Sequence, residues 1–179
     1  MSVREMQPAN TGSVPVVFRQ PTKEDGARIW RLIESCRSLD DNSLYCNLLQ
    51  CDHFSETCML AERGDALLGW VSGYRLPAEP ETLFVWQVAV APQARGQGIG
   101  RRLLQKLLDA PVCDDVVRLK TTITADNDAS WALFTSVADR LEASLDREPY
   151  FERHSHFDGH HATEHLVTIE RSAVESAAA

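Results

Sequence analysis

Phe84-Val85-Trp86-Gln87-Val88-Ala89-Val90 is followed, after Ala91-Pro92-Gln93-Ala94, by Arg95-Gly96-Gln97-Gly98-Ile99-Gly100 and then by Arg101-Arg102-Leu103-Leu104-Gln105-Lys106-Leu107-Leu108. The first run is rich in the β-branched and aromatic residues that strands favour. The last places its leucines at helical spacing. A glycine-rich turn joins them, so the stretch reads strand, turn, helix. Glycines at alternate positions let the backbone approach a ligand with no Cβ in the way. Their N–H groups lead into the positive end of the next helix, where an anion is stabilised. A phosphate or pyrophosphate fits that place.

Spacing narrows the choice. A P-loop needs Lys and then Ser or Thr after its last glycine, whereas Gly100 is followed by Arg101-Arg102. A dinucleotide fingerprint needs its third glycine at the position of Arg101. The pattern that fits is Gln or Arg, two residues, Gly, one residue, then Gly or Ala, with Arg95, Gly98 and Gly100 in its fixed places. With Trp86-Gln87-Val88-Ala89-Val90 and Pro92 also in register, this stretch resembles the acyl-coenzyme A pyrophosphate loop of the GCN5-related N-acetyltransferases (GNAT).

A chain of 179 residues suits one domain, and 44% hydrophobic with 25% charged residues is ordinary for a globular protein. No apolar run is long enough for a membrane span, and Met1 to Pro15 lacks the profile of a signal peptide, so a cytoplasmic protein is expected. The net charge of −8 argues against nucleic acid or an anionic membrane as partner. An anionic cofactor would therefore depend on local cations, which Arg95, Arg101, Arg102 and Lys106 supply. Cysteines at 36, 46, 51, 58 and 113 form an odd set without a C-x-x-C pair, so neither a disulfide framework nor a zinc module is indicated.

Working outward, residues 1–15 read as a flexible leader, 16–170 as the domain and 171–179 as a small-residue tail. Val16–Arg19 is a short strand, and Thr22 caps a helix running to about Arg37. Asp40-Asp41-Asn42-Ser43 offers caps for a second helix, with Leu44, Leu48 and Cys51 on one face. Thr57–Ala61 and Ala66–Tyr74 form a hairpin across Arg63-Gly64-Asp65, and a strand over 82–90 follows the Pro77–Pro80 break. Val117–Thr124 is a strand, and Asp126 or Asn127 caps a helix to about Ala138. Asp139–Pro149 reads as looser chain, with strands near Tyr150–His154 and His165–Glu170.

Alternating strands and helices imply an α/β (α+β) domain with a mixed sheet flanked by helices. The GNAT resemblance adds the topology: a mostly antiparallel sheet of about six to seven strands with about four helices. It implies acetyl-CoA as cosubstrate, held by Val88, Ala89, Val90, Arg95, Gly96, Gln97, Gly98, Ile99, Gly100, Arg101, Asn127 and Phe134. Backbone groups of Gln87–Val90 would bond the pantetheine arm, and an N–H near Val88 would polarise the thioester carbonyl. In the family's second motif, Asn127, Ser130, Leu133 and Phe134 take the fixed places. Phe134 stands where a tyrosine often protonates the departing thiolate, which leaves that acid unassigned.

Leu39-Asp40-x-Asn42-Ser43-x-Tyr45, Leu83–Val90, Thr121–Asn127, Ser130–Phe134 and Glu164–Val167 together resemble the L-2,4-diaminobutyrate acetyltransferases of ectoine biosynthesis, over most of the chain. The resemblance implies transfer of acetyl to the γ-amine of a small diamino acid, by direct attack in a ternary complex, in a homodimer. Asp40, Asn42, Tyr45, Trp86 and Glu164 are then the substrate-binding candidates. Asp40, Tyr45, His161 and Glu164 are the pool for proton transfer. Asp40 suits an ammonium group and Trp86 an aliphatic chain with a cation at its end. His154, His156, His160, His161 and His165 invite a metal, but the Asp158-Gly159 break interrupts the helical spacing and no metal is expected. The residues alone leave open another amine, a polyamine, a protein N-terminus, or a non-catalytic acyl-CoA sensor.

Overall fold

The computed structural model describes residues 14–36 and 42–171, so most of the leader, the Asp40–Asp41 pair and the tail lie outside it. The strands are β1 (Val17–Arg19), β2 (Cys58–Arg63), β3 (Ala66–Leu76), β4 (Glu79–Val90), β5 (Arg118–Thr124), β6 (Ala143–Phe151) and β7 (Glu164–Arg171). The helices are α1 (Gly26–Ser35), α2 (Leu44–Asp52), α3 (Ile99–Leu108) and α4 (Asp128–Leu141). Seven strands form one sheet in the order β1-β2-β3-β4-β5-β7-β6. Among the described strands only β4 and β5 pair in parallel, so the sheet is mixed and mostly antiparallel, as expected.

Two irregularities of β4 make the site. Pairing with β5 is confined to Thr82–Phe84 against Arg118–Lys120. Beyond Phe84 the two strands diverge, β4 continuing to Val90 and β5 to Thr124. A β-bulge supplies the bend: Ser72 pairs with Gln87 and Gly73 with Val85, so Trp86 is the extra residue. Bulges increase local twist and re-aim a side chain.

A Cβ on Gly69 would meet Ile99 and Leu103 of α3 at 2.9 Å, so that face of β3 carries α3. Trp70 and Ser72, alternating with Gly69 and Val71, face the opposite side, and α1 also packs against β3 and β4. Ile29, Leu32 and Ile33 bury the inner stripe of α1. Its entry is held by charge: Thr22 N donates to Asp25 Oδ2 (2.9 Å), and Arg19 bridges Asp25 and Glu62, each at 2.8 Å. Arg19 beside Asp25 holds its carboxyl down at about 2.

Three expectations are corrected. In α2 the buried residues are Asn47, Gln50 and Cys51, while Leu44 stays 39% exposed. Ser43 caps the helix by accepting from Cys46 N, which fixes the start so that Leu44 sits in an outward-facing first turn. Asp139–Pro149 is not loose chain: α4 runs to Leu141, Glu142 turns it off with a φ of 51°, and β6 begins at Ala143. β6 is the sheet's outer strand and mostly exposed, so its charges and proline concealed it. The strand expected near Tyr150–His154 accordingly ends at Phe151.

Candidate active site

The divergence of β4 and β5 opens a cleft of about 210 Å³. Its walls include Trp86, Gln87 and Val88 from β4 and Thr121, Thr122 and Thr124 from β5. Asn127, the cap of α4, and Ser130 and Phe134 within it close one side; Asn42, His161 and Glu164 close another.

The glycine turn opens α3. Gly96 and Gly98 have φ of 73° and 71°, the left-handed region that suits glycine. A Cβ at Gly96 would have nothing within 4 Å, so that face of the turn is open to a ligand. The first N–H groups of a helix have no partner within it and are ready donors for an anion. No side chain caps α3 at Gly98. Gly100 is different: it is already helical, and a Cβ there would make ordinary contacts with Val90 and Leu133 at 3.5 and 3.6 Å.

The other expected cofactor residues separate by what they present. Arg95, Gln97 and Arg101 are exposed around the turn. Arg102 is committed elsewhere, its guanidinium 4.6 Å from the Phe18 ring centroid. Ala89 and Ile99 are buried side chains of the core, which leaves their backbone as what a ligand could meet. Val88 lines the cleft, and the Val90 carbonyl accepts from Cys36 Sγ at 3.4 Å. Asn127 lines the cleft while its Oδ1 accepts from Ser130 N (3.1 Å), so it caps α4 as well. Phe134 is 3% exposed and closes the cleft with a ring and no hydroxyl.

At the acceptor end, Asn42, Trp86, His161 and Glu164 are brought together around the cleft. Asn42 Nδ2 donates to Gln87 Oε1 (3.0 Å), and His161 Nε2 lies 3.9 Å from Glu164 Oε1. Trp86 is 47% exposed and meets Tyr74 edge to face. Tyr45 is 69% exposed and is not among the cleft-lining residues, and Asp40 lies outside the described residues. Among the described lining residues Glu164 is the carboxylate, and none is Lys or Arg. An ammonium group therefore finds one anionic partner, and a carboxylate finds neutral donors from Asn, Gln, Thr and Ser.

Sequence reasoning missed the Gln87 side chain, the Thr121, Thr122 and Thr124 hydroxyls and Ser130 as cleft-lining groups. The resemblance assigns Gln87 a backbone role alone; its place as a polar residue in an otherwise apolar strand is the signal for its side chain. His154, His156 and His160 are exposed on the turn after β6, and among the described residues no three His, Cys, Asp or Glu side chains converge. Burial pushes the Cys51 and Cys58 thiols up to about 12, and no cysteine lines the cleft. The geometry is that of a cleft with a carboxylate, Glu164, among its described lining residues, and with a wall, β4, that leads from Val88 to the open glycine turn.

Residues 26–138 match the model of the acetyltransferase (GNAT) family. An L-2,4-diaminobutyric acid acetyltransferase from Methylotuvimicrobium alcaliphilum is 50% identical over 164 residues, covering 92% of this chain and 95% of its own. One from Vibrio cholerae is 45% identical over 157 residues, covering 88% and 91%. A solved structure of the diaminobutyrate acetyltransferase EctA from Paenibacillus lautus, in complex with its substrate L-2,4-diaminobutyric acid and coenzyme A, superposes with a TM-score of 0.85. It is 40% identical and covers 89% of this chain and 96% of its own.

Proposed function

We infer the reaction from one premise: the chain belongs to the acetyltransferase (GNAT) family and, within it, to the L-2,4-diaminobutyric acid acetyltransferases. It transfers the acetyl group of acetyl-CoA to L-2,4-diaminobutyrate in ectoine biosynthesis. The observation that carries this is the likeness over nearly the whole chain to an enzyme solved with both diaminobutyrate and coenzyme A.

Our reading of the site follows the two ends of the cleft. The pyrophosphate rests on the glycine turn, on N–H groups of Gly96 to Gly100, with Arg95 and Arg101 beside it. Pantetheine runs along the splayed edge of Val88–Val90, and a β4 N–H near Val88 stabilises the oxyanion. The γ-amine is the nucleophile. Glu164 attracts the ammonium, Asn42 and Trp86 position the diamino acid, and Asp40 and Tyr45 remain candidates for its outer contacts. The ammonium proton passes to the Glu164–His161 pair, directly or through water. The neutral nitrogen attacks the thioester carbon; as the C–S bond breaks, the nitrogen gives up its second proton, and the departing thiolate gains one by way of water, since Phe134 has none to give. Fixing the amine beside the thioester removes much of the entropic barrier.

Unbonded thiols at all five cysteines favour the reducing cytoplasm. Tyr150 and Phe151, exposed on the outer strand β6, favour a homodimer through that edge.

The test is turnover with acetyl-CoA and L-2,4-diaminobutyrate, followed by thiol release, with the product's proton NMR spectrum locating the acetyl group. Acetyl on the γ-nitrogen supports the reading. Acetyl on the α-nitrogen overturns the regiochemistry, and faster turnover of polyamines or peptides overturns the acceptor.

A further inference from the structure

Helix α2 is seated on polar residues. Asn47 and Gln50 are 0% and 2% exposed, and Asn47 Nδ2 donates to Gln50 Oε1 at 3.0 Å. That bond leaves Asn47 Oδ1 and Gln50 Nε2 buried with no protein partner. Exchanging O and N in both amides leaves the same tally, one acceptor and one donor. Ser72 Oγ and Trp70 Nε1 on β3 are also buried without a partner, in residues that are 0% exposed. A buried polar atom left unsatisfied forfeits the hydrogen bonds it made to water in the unfolded chain.

Trp70 and Ser72 share one face of β3, and Asn47 and Gln50 share the buried face of α2. Trp70 and Ser72 face away from α3, and Ser72 stands between Cys58 of β2 and Gln87 of β4. Cys51 of α2 lies within electrostatic reach of Cys58, and Asn47 is one turn before Cys51 on the same helical face. Two donors, one acceptor and a hydroxyl that serves as either are the complement that buried water requires, with its usual two to four partners.

We propose that the space between α2 and the β2–β3–β4 sheet is a binding site for ordered water, and that Asn47, Gln50 and Ser72 act through it as positioning residues for the acceptor pocket. Gln87 links the two regions: Ser72 lies opposite it, and its Oε1 holds Asn42, the residue just before the α2 cap and a wall of the cleft. The water seats α2 by hydrogen bonds instead of apolar packing, and so sets where Asn42 and the cap stand relative to Trp86. This rests on the acceptor site proposed above and adds what holds it in register.

The experiment combines hydration with kinetics on the full chain. Water magnetic relaxation dispersion should detect long-lived internal water in the wild type, reduced in Ser72→Ala and in the pair Asn47→Leu with Gln50→Leu. Both variants should raise KM for diaminobutyrate roughly tenfold, about one positioning hydrogen bond, with KM for acetyl-CoA unchanged. Ser72→Thr, which keeps the hydroxyl, should restore the wild-type KM. Ser72→Ala, losing only one oxygen, keeps the test open if the double variant misfolds. Wild-type turnover with no long-lived water, or variants with higher thermal stability and unchanged KM, would overturn the proposal. A wild type that holds the water but does not acetylate diaminobutyrate would instead sink the functional reading and the positioning role with it.

Discussion

Trp86 and Tyr74 meet edge to face with ring centroids 6.2 Å apart, and Trp86 is the residue that the β4 bulge leaves without a partner on β3. Tyr74 also faces Phe84, 5.3 Å away, so the bulged indole is braced by a neighbour fixed in the sheet. Because Trp86 is half exposed, its removal forfeits little core. Trp86→Ala should cost about 0.5–1.5 kcal/mol of stability, the scale of one aromatic pair. Activity should fall further: kcat/KM for diaminobutyrate by roughly tenfold or more, from lost positioning of the acceptor. Trp86→Phe should keep most of it. Steady-state kinetics in both substrates checks this, and an effect on KM for acetyl-CoA alone would contradict the assignment.

The three glycines look equivalent in sequence and are not equivalent in structure. Gly98→Ala forces a side chain into a φ of 71°, which costs about 1–2 kcal/mol before any ligand is considered. Gly100→Ala adds a Cβ to helical backbone at ordinary contact distance, so the fold should tolerate it. Thermal unfolding should therefore drop for Gly98→Ala and hold for Gly100→Ala. Calorimetric titration with coenzyme A then reads ligand approach separately from fold. A loss of affinity in Gly100→Ala without a loss of stability places the phosphates against that residue.

Glycine spacing, helix caps and β-branched runs are local features, and they made the element order and the α3 turn legible in sequence, while the sheet topology came from the GNAT resemblance. What escaped depends on neighbours. β6 is an edge strand of the sheet, paired on one side only, with β7, and its mostly exposed, charged residues carry no apolar period of their own. The inward rotation of Asn47 and Gln50 comes from the seat of α2, and a polar buried face has no hydrophobic signature to read. Glu164, His161 and Trp86 converge only because β4 diverges from β5, a tertiary event. Their identities came from family resemblance; their proximity did not.

Asn42 and Gln87 give a prediction that separates the two substrates. Asn42→Ala removes the donor to Gln87 Oε1 and should raise KM for diaminobutyrate by roughly five- to tenfold, the worth of about one hydrogen bond. Binding of coenzyme A, which depends on the glycine turn, should stay within error. Titration of each ligand separately checks the split, and a parallel loss of both affinities would mean that Asn42 supports the fold of the cleft as a whole.

Asp25 sets an acid limit on stability. Its carboxyl is hydrogen-bonded by Arg19 and held at about 2 in the folded chain, against an ordinary 3.8 when unpaired. A depressed carboxyl stabilises the fold fully above its unfolded value, and that stabilisation is lost as pH falls from about 4 towards 2. Arg19 is partly exposed, so solvent screening reduces the contribution to about 1–2 kcal/mol. Denaturant unfolding at pH 7 and at low pH should show the wild type losing this increment. Asp25→Asn should start lower at pH 7 and lose correspondingly less. Equal acid sensitivity in both proteins would assign the acid limit to other carboxylates.

His161 and Glu164, with Nε2 and Oε1 3.9 Å apart, pose the last question, which of them takes the ammonium proton. If the pair works as one unit, its members are not additive: each single loss should cost nearly as much as the double. Glu164→Gln keeps the shape and removes the charge, so it should lower kcat by roughly 10²–10⁴, the range of general-base catalysis. His161→Asn should lower kcat comparably and leave KM for diaminobutyrate nearer to wild type, because the ammonium partner Glu164 remains. Raising the pH supplies neutral amine from solution and should narrow the gap between Glu164→Gln and the wild type. A rate deficit that is constant across the pH range, with KM raised instead, would make Glu164 an ammonium anchor and leave the proton to water.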